Sequence, residues 1–180
     1  RTGKDCFAAT RRLRAALLTS SALALAWTLP ATPARAQGAT WLAAPGSGDF
    51  LAGSNWSTGT VPSGTASFGA SNTTSLSIAP TATPTTTIGG LTFNAGAPAY
   101  DLTIGQTLIL DGAGIVVNGA GATITTIGSG GVLQFSNSSS AGTATISNSA
   151  TTYFRDSSTA GSAAITNIGS IGFEGTSTAA

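Results

Sequence analysis

Chemistry in this chain would have to come from a few carboxylates and one guanidinium. Beyond residue 36 the charged side chains are Asp49, Asp101, Asp111, Asp156, Glu174 and Arg155, and this stretch holds no His, Cys or Lys. Without imidazole, thiolate or amine, Ser-His-Asp and Cys-His arrangements cannot form, nor can imidazole or thiolate metal sites. Two-carboxylate catalysis needs both acids on one surface. Asp101 and Asp111 are ten residues apart, about half of the repeat described below, which places them on different faces. Arg155 and Asp156 adjoin, but successive strand residues point to opposite sides. Asp111-Gly112-Ala113-Gly114 lacks the full calcium nonapeptide pattern. These residues read as solvated surface or turn positions. The expectation is a protein that is not an enzyme and carries no metal or cofactor.

The elements that hold these residues are set by a repeat. Phe135, Phe154 and Phe173 are 19 residues apart, and the same step links Ala141 with Ala160, Gly142 with Gly161, Ile146 with Ile165 and Asn148 with Asn167. A fixed period near 20 is the signature of a solenoid, one rung per repeat. The rungs are built from Ser, Thr, Gly, Asn, Ala and Ile, which suits strands. Short pairs such as Leu91-x-Phe93, Leu102-x-Ile104, Leu108-x-Leu110, Ile115-x-Val117 and Leu133-x-Phe135 put two apolar side chains on one strand face, and Gly-rich breaks separate them. Asn-Gly and Asp-Gly breaks could also close hairpins, so a β-sandwich is the competing architecture. The 19-residue step favours an all-β, right-handed parallel β-helix. In it Phe135, Phe154 and Phe173 form an interior aromatic stack and Ile146 and Ile165 a second column. Asn148 and Asn167 form a buried or turn-facing amide ladder, each side chain bonding its neighbour's backbone. At about 4.8 Å per coil, roughly ninety residues of such coils give about five rungs and a rod of roughly 24 Å.

Residues 1–36 read as a secretory signal peptide. Arg11, Arg12 and Arg14 form its positive region, Ala15 to Leu29 its apolar core, and Ala34-Arg35-Ala36 the cleavage signal. Thr10-Arg11-Arg12 also fits the start of a twin-arginine signal, but Arg14 sits where that motif prefers an apolar residue. Six of the seven basic residues lie in this leader, leaving Arg155 alone beyond it. The remainder has no basic patch to neutralise phosphates, which excludes nucleic acid as a partner. The only cysteine, Cys6, is also in the leader. The exported part would form no disulfide, so its stability must come from stacked, hydrogen-bonded rungs. The chain stops in mid-repeat, and the expectation is a fragment of a longer protein.

Residues 37–88 are read as an N-terminal cap followed by an irregular Thr/Pro-rich segment, and residues 89–180 as the coils. Pro80 and Pro84 interrupt regular pairing, so 71–88 suits an edge strand followed by an irregular crossing. Trp41, Trp56 and Phe68 would cover the open end of the stack, where unpaired edge groups invite aggregation. The alternative role for the tryptophans is a sugar-stacking platform. Asn55-Trp56-Ser57, Asn72-Thr73-Thr74 and Asn137-Ser138-Ser139 fit the N-glycosylation pattern, a pattern too frequent in Ser/Thr-rich chains to carry weight.

The stretch Asn55-Trp56-Ser57-Thr58-Gly59-Thr60-Val61-Pro62, then Ala66-Ser67-Phe68 and Gly90-Leu91-Thr92-Phe93-Asn94, resembles the start of autotransporter (type V secreted) passenger domains with autotransporter-associated β-strand repeats. The Ser/Thr-rich 19-residue repeats are similar to those of self-associating autotransporter adhesins. The resemblance implies Sec export, passage through a C-terminal outer-membrane β-barrel, and display or release of a β-helical passenger at the cell surface. It implies partners of two kinds: further copies of the protein, or host and matrix glycans and proteins. It carries over no catalytic residue. The expected function is therefore adhesion or self-association by a structural rod. Two other readings stay open: a secreted β-helix polysaccharide lyase or hydrolase whose catalytic part lies beyond residue 180, and a pure spacer stalk.

Overall fold

The computed structural model describes residues 36–179. The expected leader, including the cleavage residue Ala34, lies outside the described residues; Ala36 is the first of them. Within 36–179 the chain is a β-solenoid of two parallel sheets. Strands β1 (Ala39–Thr40), β2 (Thr65–Phe68), β4 (Thr85–Phe93), β6 (Thr107–Val117), β8 (Val132–Phe135), β10 (Thr151–Phe154) and β12 (Ser170–Phe173) form one sheet in that order. Strands β3 (Ser75–Ile78), β5 (Tyr100–Ile104), β7 (Ala122–Thr126), β9 (Thr145–Asn148) and β11 (Ala164–Asn167) form the other. From β2 on the chain visits the sheets alternately, and each strand lies parallel to the one before it in its sheet, which excludes the hairpin-built sandwich. A third side is held by single parallel bridges from Gly114 to Ser140, Ser140 to Thr159 and Thr159 to Thr178.

The strands form because residues of alternating character meet a sheet with one dry face. In β3, Leu76 and Ile78 are buried while Ser75 and Ser77 are exposed. The same alternation runs through β5, β7 and β9. Inward residues then stack in columns: Leu76, Leu102, Ile124, Ile146 and Ile165 form one. Ile88, Leu110, Phe135, Phe154 and Phe173 form another. Slipping one strand by a residue would turn its column outward, so burial fixes the register.

The 19-residue step holds only at the C-terminal end. Val132 pairs with Thr151 and Thr151 with Ser170, both steps of 19. Earlier steps are longer: 27 from Ala39 to Ala66, 25 from Thr65 to Gly90, 22 from Thr85 to Thr107 and 25 from Thr107 to Val132. The extra residues are absorbed by loops and by the long strands β4 and β6. These carry the paired face around a corner with a register shift between Ile88 and Gly90. Regular stacking also starts before residue 89, since β2 and β3 already pair in parallel with β4 and β5. The five coils that contribute to both sheets span Thr65 to Asn167.

Gly114 marks the corner in β6. Its φ is +81°, and an added Cβ would lie 2.0 Å from the carbonyl oxygen of Ser140 in the next coil. Only glycine meets both demands. In the 19-residue coils a second turn recurs with left-handed backbone at Asn137 (φ 57°), Asp156 (φ 58°) and Gly175 (φ 73°), the residue types that tolerate it.

Candidate functional site

The residues expected at the N-terminal end are buried together. Trp41 and Trp56 meet edge to face at 5.1 Å, Phe50 packs on Trp56 at 5.0 Å, and Phe68 lies 5.7 Å from Trp56. Phe68 stacks in turn on Phe93 at 4.8 Å, carrying the cluster into the next coil. Both indole N–H groups donate to backbone carbonyls, Trp41 to Thr73 and Trp56 to Phe50. Each tryptophan is 2 % exposed, so neither offers a platform to a sugar. The backbone of this segment also covers edges: β1 pairs with β2, and Asp49 bridges Ser77 on the outer edge of β3.

Asn55 organises this region, a role that sequence reasoning missed. Its side-chain oxygen accepts from the Gly46 N–H, and its amide donates to the Ser47 hydroxyl and to the Asp49 carbonyl. It is 1 % exposed, so in the folded chain this asparagine is committed to the loop and closed to a glycan. The sequence did not mark it: the short turn Gly53–Asn55 buries it, and a buried amide must find partners.

The interior ladders are regular where the coil length is constant. Phe135 and Phe154 stack at 4.7 Å and 6°, Phe154 and Phe173 at 4.9 Å and 8°. Phe135 and Phe154 are fully buried, while Phe173 is 41 % exposed because no described coil covers it. Ile146 is buried and Ile165 partly so. The amide ladder holds one bond to the next coil's backbone, as expected, and adds side-chain partners. Asn148 donates to the side-chain oxygen of Asn167 and to the Ser170 carbonyl, and its own oxygen accepts from the Thr126 hydroxyl. Asn148 is fully buried, whereas Asn167 at the last coil is exposed. This column begins apolar, with Ile78 and Ile104, and turns polar at Thr126.

The charged residues gather no catalytic set among the described residues. Asp101 lies on β5 and Asp111 on β6, in different sheets. Arg155 pairs with Glu174 at 3.1 Å and lies over the Tyr153 ring at 4.8 Å, all near the surface. Asp156 accepts the Asn137 N–H and so serves its turn. No group of three or more acid, His or Cys side chains suited to a metal occurs among the described residues.

What the coils present outward is hydroxyls. On the five-stranded sheet the outward positions form two columns of five. One runs Ser75, Asp101, Thr123, Thr145, Ala164; the other runs Ser77, Thr103, Thr125, Ser147, Thr166. The hydroxyls of these columns make no hydrogen bond to other described side chains, unlike inward Thr126 or Gln106. The seven-stranded sheet is mixed, with Ile109, Gln134 and Tyr153 in one outward column. No family model, no characterised protein and no solved structure matches the chain.

Proposed function

We propose that this chain is part of an exported autotransporter passenger, a β-solenoid displayed at the cell surface that acts by adhesion or self-association. The observation that carries this reading is the pair of outward hydroxyl columns, in register over five coils and free of internal partners. A surface of this kind makes many weak, equivalent hydrogen bonds, each small alone and useful only when repeated along a stiff rod. The rod holds the groups at fixed spacing, so little ordering entropy is lost on contact. The resemblance of the Asn55-to-Pro62 stretch to passenger openings supports the exported setting, and the buried role of Asn55 and Trp56 gives that stretch a physical reason.

The test is to express the gene from its own start in a non-aggregating host and to follow cell settling and attachment to glycan-coated surfaces. The expected result is faster settling or stronger attachment than in cells without the gene. Cells that neither settle nor attach, with the protein intact at their surface, would contradict the adhesive reading and leave the spacer.

A further inference from the structure

The outer face of the five-stranded sheet is a rectangular mesh of hydroxyls. Eight of its ten outward positions are Ser or Thr, the exceptions being Asp101 and Ala164. Successive coils repeat at about 4.8 Å, and alternate residues along a strand at about 6.6 Å. The middle of the mesh is the most regular, with Thr123 and Thr125 on β7, Thr145 and Ser147 on β9 and Thr103 on β5. Behind it Leu102, Ile124 and Ile146 are buried, so each rung is locked by packing.

Three properties select a partner. The face carries a single charge, that of Asp101 on β5 between Ser75 and Thr123, so an ionic partner gains little from it. No aromatic side chain points outward among the ten positions, so the face lacks the platform on which sugar rings stack. Its hydroxyls are held at fixed spacing by the buried column Leu102, Ile124 and Ile146 behind them, so the face favours a partner with a matching period. What remains is a neutral partner that is itself a rigid, periodic array of hydrogen-bonding oxygens. Hexagonal ice presents such an array, with a rectangular prism-plane mesh whose short edge is close to the coil spacing and whose long edge is somewhat longer than the spacing of alternate residues, a difference that two columns of splayed side chains can take up. Hydroxyls held on that mesh fix first-layer water where a crystal continues it, and the threonine methyls between them shed water that would not fit.

We propose that this face binds ice, so that the adhesive contact of the solenoid is with a frozen surface. This rests on the adhesive reading above for the choice of face. The experiment uses the purified full chain. Ice crystals are grown in its presence and watched for faceting, and recrystallisation of a frozen film is followed in parallel. Thr125→Lys puts a long charged side chain in the centre of the mesh, and Thr151→Lys makes the same change on the other sheet; circular dichroism checks that both keep the β fold. Faceted crystals and arrested recrystallisation with the parent and with Thr151→Lys, lost with Thr125→Lys, support the proposal. Round, unshaped crystals with the folded parent overturn it. So does equal shaping by Thr125→Lys. Cell settling with the same variants separates the two readings: settling lost in Thr125→Lys, with no ice shaping by the parent, overturns ice as the partner and keeps the adhesive face.

Discussion

At the scale of single residues, the interior shows where uniform stacking is broken and what that costs. Thr152 is fully buried and its hydroxyl has no partner among the described residues. It stands in a column with Leu108, Leu133 and Ile171, all apolar. Thr152→Val is expected to stabilise the fold by about 1 kcal/mol, because it removes an unsatisfied group and keeps the shape; a raised denaturation midpoint at unchanged slope checks it. Ser139 is unpaired for a geometric reason. Its equivalents Ser158 and Ser177 donate to the carbonyls of Phe135 and Phe154, each the last residue of its strand, but the matching residue below Ser139 is Leu110, inside β6 and ahead of the corner at Gly114. Tyr100 is buried and donates to the Gly69 carbonyl. Burial raises its pKa above 10.0, opposed in part by the Ser71 hydroxyl. In the unfolded chain this phenol ionises at about 10, so the native state then holds more protons and stability falls as pH rises from there. Tyr100→Phe should cost about 1 kcal/mol at neutral pH through the lost hydrogen bond and should remove this part of the alkaline decline. Unfolding curves on both sides of pH 10 read both effects.

At the scale of the coil, the repeat is a packing device. Phe154 lies between Phe135 and Phe173, in contact with both. Phe154→Ala would open a cavity across the aromatic column and should cost about 3–5 kcal/mol, read as a loss in denaturant stability. Gly114→Ala should prevent folding of the corner, since the new Cβ meets the backbone of Ser140 and not a movable side chain; loss of the strand signal in circular dichroism would show it. The strands from Leu91 to Phe135 were legible because alternating apolar pairs and Gly breaks report a sheet with one buried face. The coil lengths were not. A step of 19 can be read when Phe, Asn and Gly recur at the same offsets, as in the last coils. The 22- to 27-residue steps place Ile88, Leu110 and Phe135 in one column without repeating any residue type. The start of the stack was missed for the same reason: Leu76 and Ile78 lie in a short Ser-rich run before two prolines, and only pairing with Leu102 and Ile104 identifies it as a coil.

At the scale of the molecule, the described chain is a rod with two unlike ends. One is closed by the Trp41, Phe50, Trp56 and Phe68 cluster and by β1. At the other, β11 and β12 each have one described neighbour, and Ile168 and Phe173 are exposed. The sides differ as well, one sheet presenting nearly neutral hydroxyl columns and the other mixed side chains around Tyr153 and Arg155. The burial of Trp41, Trp56 and Phe68 follows from their background, since large aromatics among Gly, Ser and Pro have few places to go but inside. The hydroxyl face was not singled out in the sequence, because Ser and Thr are common throughout and only the register shows which of them share a surface. The proposed function requires that this rod be carried outside the cell to make contact there. An antibody raised against the purified chain and applied to intact cells expressing the gene tests it most directly. Unbroken cells should be labelled, and external protease should remove the label. Labelling that appears only after lysis, with the protein recovered from the cytosol, would contradict it.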